Sequence, residues 1–120
     1  HPARYTQEFM AKYDTFTVSF FPESYRKALG YLGSHSGRDE NKVANSGLTP
    51  VAADDGVTFK EAELTFVCKK LYEHQFDEAH LAERIKDYYA SNPAVYTQAG
   101  HDRWEPHYMY IGEVVEAIGV

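Results

Sequence analysis

Arg4-Tyr5-Thr6-Gln7-Glu8-Phe9-Met10 leads, across Tyr13 and Asp14, into Thr15-Phe16-Thr17-Val18-Ser19-Phe20-Phe21, and the change of period between the two runs decides the fold class. Phe9, Met10 and Tyr13 lie three, four and seven positions beyond Thr6, which is the spacing of one helical face with Thr6 as its cap. From Thr15 onward the chain alternates. Phe16, Val18 and Phe20 point one way and Thr15, Thr17 and Ser19 the other, which predicts a strand with one buried face. A helix start carries unpaired amides and a partial positive charge, a combination that favours an anion. Arg4 adds a planar guanidinium suited to phosphate oxygens. The same residues also describe an ordinary capped helix beside a solvated arginine.

Working outward, Pro22 ends the strand, and Tyr25, Ala28, Leu29 and Leu32 mark a helix closed by Gly33. Residues 34–39 form a polar turn, and Asp39 is placed to cap a short helix that carries Lys42 and Val43 and stops at Gly47. Leu48 to Ala53 and Val57 to Lys60 read as paired strands around the tight turn Asp54-Asp55-Gly56. Glu63 to Glu73 is the longest strand candidate, with Leu64, Phe66, Cys68 and Tyr72 on one face and Thr65, Val67 and Leu71 on the other. Apolar residues on both faces suit a barrel strand covered outside by a helix or a second subunit. Asp77 to Tyr89 is an amphipathic helix with Leu81, Ile85, Tyr88 and Tyr89 inward. Residues 90–106 read as a long loop and His107 to Ala117 as the last strand. The sum is α+β, a small antiparallel sheet or barrel with helices inserted between strands.

At 120 residues the chain is a single domain, 1–120, with room for one core. Ten tyrosines and seven phenylalanines point to a planar ligand or a partner surface. A net charge of −6 without a basic stripe argues against nucleic-acid binding. The one cysteine, Cys68, fits a reducing compartment and sits where cysteine acts as a small buried hydrophobe. No apolar run approaches the roughly 20 residues a membrane helix needs, and the expected location is cytoplasmic. His74 and His80, like His101 and His107, are six apart, which is no ligand spacing for zinc, and no metal is expected. Tyr72, Tyr88, Tyr89, Tyr108 and Tyr110 read as core and interface residues.

Four blocks in order carry a resemblance. They are Arg4 to Phe9 with Asp14 to Phe21; Tyr25 to Leu29 with Ser36-Gly37-Arg38-Asp39, Lys42 and Gly47-Leu48-Thr49; Cys68-Lys69-Lys70-Leu71-Tyr72; and His107-Tyr108-Met109-Tyr110-Ile111-Gly112-Glu113-Val114. Together they resemble the flavin reductase-like family of FMN-binding split barrels, in its flavoredoxin-type branch. The resemblance implies a split β-barrel of antiparallel strands with inserted helices. Family members carry first barrel strands ahead of the Arg-Tyr-Thr segment, so the expectation is a carboxy-terminal portion of the family domain, incomplete at its amino end. By resemblance Arg4, Tyr5 and Thr6 hold the FMN phosphate, and Ser36, Gly37 and Arg38 lie near the flavin. His107 stands on the cofactor or nicotinamide side; an imidazole there also reads as a strand-end residue satisfied by backbone. Lys42 could reach the same anion or remain solvated. No catalytic residue is assigned, because hydride transfer is the cofactor's chemistry. The implied activity is electron transfer from NADH or NADPH to flavin or a downstream acceptor, by a homodimer. Two other readings stay open: a non-catalytic flavin carrier or sensor, and a cofactor-free split-barrel interaction module.

Overall fold

The computed structural model describes residues 1–119. Helix α1 (Tyr5–Lys12) precedes strand β1 (Thr15–Phe20), followed by α2 (Arg26–Ser34), α3 (Lys42–Ser46), the hairpin β2 (Pro50–Ala53) and β3 (Gly56–Phe59), and the long strand β4 (Leu64–Gln75). Helices α4 (Glu83–Ser91) and α5 (Pro93–Tyr96) then lead to β5 (Tyr108–Gly119). Strand β4 is central in an antiparallel sheet of order β1-β4-β5, and β2 and β3 form a separate antiparallel pair. The expected α+β antiparallel class holds.

The sides of β1 are reversed from the expectation. Its apolar side is open, with Val18 and Phe20 41% and 46% exposed. Its hydroxyl side lies beneath the β2–β3 hairpin. Ser19 pairs with Thr65 across β1 and β4, and its Oγ lies 2.8 Å from Thr58 Oγ1 and 3.1 Å from Thr65 Oγ1. Thr58 and Thr65 meet at 2.6 Å, and the Thr17 hydroxyl donates to Val57 O. A buried hydroxyl without a partner is costly, whereas three that serve one another are tolerated in a dry layer. Val67, wholly buried, shares that layer. Alternation alone does not reveal this, because each side of β1 is internally consistent.

Two register shifts interrupt the β4–β5 ladder, leaving Val115 unpaired between Glu116 and Val114 and Leu71 unpaired between Lys70 and Tyr72. Such extra residues break the two-residue period. Leu71 is exposed, unlike Thr65 and Val67, with which alternation grouped it. Nearer the centre, the Phe16 ring reaches across β4 to Gly112 of β5, where an added Cβ would come within 2.5 Å of the ring and force it to shift.

The helix ends also differ from expectation. Arg4, not Thr6, is the N-cap of α1, and Thr6 lies inside the first turn. Helix α2 runs through Gly33 to Ser34, and Lys42 Nζ donates to the carbonyls of Leu32 and His35 at 2.8 and 3.1 Å. An ammonium there satisfies orphan carbonyls and the negative end of the helix dipole. Asn41, not Asp39, caps α3 by accepting from Ala44 N at 3.2 Å, and Gly47 closes it as expected with φ of 83°. The expected helix from Asp77 is divided. Asp77 accepts from Ala79 N in a short 3₁₀ turn, and the extended Leu81 separates that turn from α4. Only Tyr89 of the expected inner side is buried, while Ile85 and Tyr88 are exposed. Residues 90–106 are not wholly loop, since Pro93 opens α5 and Glu105 N returns to Tyr96 O at 2.9 Å.

Candidate functional site

The start of α1 is left open by its own sequence. Arg4 is extended (φ −93°, ψ 143°) and no side chain caps the helix. Within the helix, the first amide to return to a carbonyl is that of Gln7, to Arg4 O at 3.2 Å. Among the described residues, the amides of Tyr5 and Thr6 therefore stay free, beside the Thr6 hydroxyl and the exposed Arg4 side chain. Four donors of this kind are what an anion recruits at a helix start. Gln7 Nε2 donates to the Tyr110 hydroxyl at 3.2 Å, and Lys70 Nζ donates to Met10 O at 2.7 Å, so that both β4 and β5 anchor the helix.

The Ser36–Asp39 turn faces this opening. Asp39 N bonds to Ser36 O at 3.1 Å, and Ser36 Oγ accepts from Arg38 N at 3.1 Å. Gly37 lies flat on the Tyr5 ring, where an added Cβ would approach Cδ2 to 3.1 Å. The Arg38 guanidinium stacks over the same ring at 4.7 Å and pairs with Glu8 at 3.3 Å. Between the two elements is an open cleft of about 1290 Å³, lined by Arg4, Tyr5, Thr6, Ser36, Gly37 and Arg38 and flanked by Tyr108 and Tyr110 of β5. Six of the residues selected from sequence thus meet in one place. Lys42 also borders the cleft, but its ammonium is committed to the α2 carbonyls.

His107 is set elsewhere. It begins β5 within an aromatic cluster, where Tyr89 stacks on Trp104 at 5.0 Å and meets Tyr96 edge-on at 4.9 Å. The Tyr89 hydroxyl accepts from His107 N at 3.0 Å and donates to Nδ1. Carbonyl oxygen of His107 accepts from Phe76 N at 2.9 Å. Burial, then the positive charges of the amino-terminus and Arg4, hold the imidazole below its usual pKa of 6.5. A neutral ring with Nδ1 as acceptor suits this network.

Sequence reasoning missed Glu8, Tyr108 and Tyr110. Tyr108 and Tyr110 alternate along β5 and stack with each other at 6.2 Å on the cleft side, and that period-two pairing was the available signal. Glu8 lies one helical turn beyond Arg4, which suggests a local pair, yet its partner is Arg38.

The fold has clear relatives. The chain superposes on an FMN-binding protein from Thermus thermophilus with bound p-hydroxybenzaldehyde at TM-score 0.68 and 20% identity, covering 99% of this chain and 51% of that one. Flavoredoxin from Methanosarcina acetivorans gives TM-score 0.68 at 20% identity, with 98% and 48% covered. Nitrilotriacetate monooxygenase component B from Bacillus cereus gives 0.65 at 17% identity, with 95% and 46% covered. The chain thus spans about half the length of these proteins, and at such identities the likeness establishes the split-barrel fold alone. Comparison with curated proteins returned no match. The sequence pattern described as Flavin reductase like domain matches residues 1–119, and with that coverage the chain belongs to the flavin reductase-like family.

Proposed function

We propose that this chain, in the flavoredoxin-type branch of its family, binds FMN in the cleft between α1 and the Ser36–Asp39 turn and takes part in electron transfer from NADH or NADPH to flavin or a downstream acceptor. The observation that carries the reading is the uncapped start of α1, where, among the described residues, two free amides, a hydroxyl and an unpaired guanidinium lie side by side in the chain. That donor set fits a phosphate dianion, and the cleft exceeds the roughly 300–1,000 Å³ common for small-molecule sites. Arg4, Tyr5 and Thr6 form the phosphate end, while Ser36, Gly37 and Arg38 form the facing wall. His107 contributes by fixing the start of β5, from which Tyr108 reaches the cleft.

Bound FMN would supply the hydride and electron chemistry. The protein's part is placement. Amides at a helix start cost no reorganisation when the anion arrives, since they already point outward. Arg4 adds two parallel donors on one planar cation. The open apolar side of the sheet, with Val18, Phe20 and Val114 exposed, supports a homodimer, which sedimentation would test. The free and buried Cys68 suits a reducing, cytoplasmic setting.

Titration with FMN and riboflavin, on wild type and Arg4→Ala, tests the site. The substitution should weaken FMN and spare riboflavin; equal losses for both would remove the phosphate role. Anaerobic addition of NADH or NADPH to the FMN-loaded protein tests the activity. Bleaching of the visible flavin bands supports a reductase, and an unchanged spectrum points to a carrier.

A further inference from the structure

We propose that Glu8, Arg38 and Tyr5 form a clasp that seats the Ser36–Asp39 turn on the first turns of α1, so that Arg38 is a positioning residue and Arg4 is the guanidinium that meets the anion. The identity of that anion as the FMN phosphate rests on the reading above; the clasp itself does not. The two arginines differ in what already holds them. The flat face of Arg38 is covered by Tyr5 at 4.7 Å, and Nη1 lies 3.3 and 3.4 Å from the two Glu8 oxygens. Arg4, among the described residues, has no carboxylate within ion-pair distance. A guanidinium presents rigid, planar donors, and committing a face and an edge leaves it poorly placed to turn toward an incoming ligand.

Contact between the backbone and Tyr5 completes the clasp. Gly37 rests against the ring so closely that an added Cβ would lie 3.1 and 3.3 Å from its carbons. Tyr5 is therefore covered twice, by the Gly37 backbone and the Arg38 guanidinium, and Glu8 one turn along holds the guanidinium in register. Within the turn, Ser36 accepts from both Arg38 N and Asp39 N, through its hydroxyl and carbonyl oxygens, so the four residues move as a unit. The facing wall of the cleft is thus set by its contact with Tyr5 and Glu8 of α1.

Glu8→Gln, Arg38→Gln, their double variant and the exchanged pair Glu8→Arg/Arg38→Glu test this. In ligand-free protein, amide hydrogen exchange over residues 36–39 should accelerate about two- to fivefold in each single variant, the range an exposed pair supports. The double variant should be no faster than Arg38→Gln, and the exchanged pair should return toward wild type. Titration should show Glu8→Gln and Arg38→Gln weakening FMN and riboflavin alike, whereas Arg4→Ala weakens FMN alone. Tighter FMN binding by Glu8→Gln would show Arg38 to be a direct anion ligand restrained by a repulsive carboxylate, and would overturn the proposal. So would unchanged exchange in both single variants, or failure of the exchanged pair to recover. If wild type binds no FMN, the function proposed above fails, and the exchange measurements still decide the clasp.

Discussion

The cleft beside α1 and the aromatic cluster around His107 lie close together, yet they treat their polar groups in opposite ways. In the cluster the groups that fix His107 are paired: Tyr89 serves His107 twice, and the His107 carbonyl is taken by Phe76. In the cleft, the Arg4 side chain, the Thr6 hydroxyl and the first amides of α1 have none among the described residues. A polar group satisfied inside the protein contributes to holding the fold, and one left open to solvent is available to a ligand. The contrast separates residues that maintain the structure from residues that bind, although tyrosines stand in both sets.

The contrast is sharpest for stability. Tyr89→Ala should cost about 3–5 kcal/mol, as for a large buried aromatic, and denaturant unfolding measures it. Tyr5→Ala, on a half-exposed ring, should cost about 1 kcal/mol or less; equal losses would erase the distinction. Arg4→Ala should reverse the pattern. FMN affinity should fall roughly 10- to 100-fold, the equivalent of a charge-assisted hydrogen bond, while the unfolding midpoint moves little. Tyr89→Phe keeps the ring but strips His107 of both hydrogen bonds to the Tyr89 hydroxyl, and should cost about 1–3 kcal/mol in the same unfolding assay.

The smallest effect is the dependence on pH. Above 6.5 His107 is neutral in folded and unfolded chains alike; below it the unfolded chain takes up the proton first, because the folded imidazole is held lower. Stability should therefore decline as pH falls through 6.5, and His107→Gln should flatten that part of the curve in thermal melts. A profile identical in the variant would mean that the imidazole is not sequestered.

Local signals made part of this legible. The β2–β3 hairpin follows from Asp54-Asp55-Gly56, the end of α3 from Gly47, and α1 itself from the spacing of Phe9, Met10 and Tyr13. What was hidden depends on approach in three dimensions. Nothing local says that Lys42 reaches back to α2, or that Glu8 prefers Arg38 to Arg4. Placement of His107 away from the cleft depends on Tyr89, which only α4 packing brings to it. The sidedness of β1 was illegible for a different reason. Two alternating faces carry equal periodic signal, and the hydroxyl face becomes burial-competent only when Thr58 from another strand completes the set.

That trio of Ser19, Thr58 and Thr65 works as a registration mark. Sliding β1 by one position along β4 would bring Val18 or Phe20 under the hairpin and strand the other two hydroxyls without a neighbour. Misalignment would thus be penalised at once by bulk and by a lost donor, an error check that an all-aliphatic layer of the same size would lack.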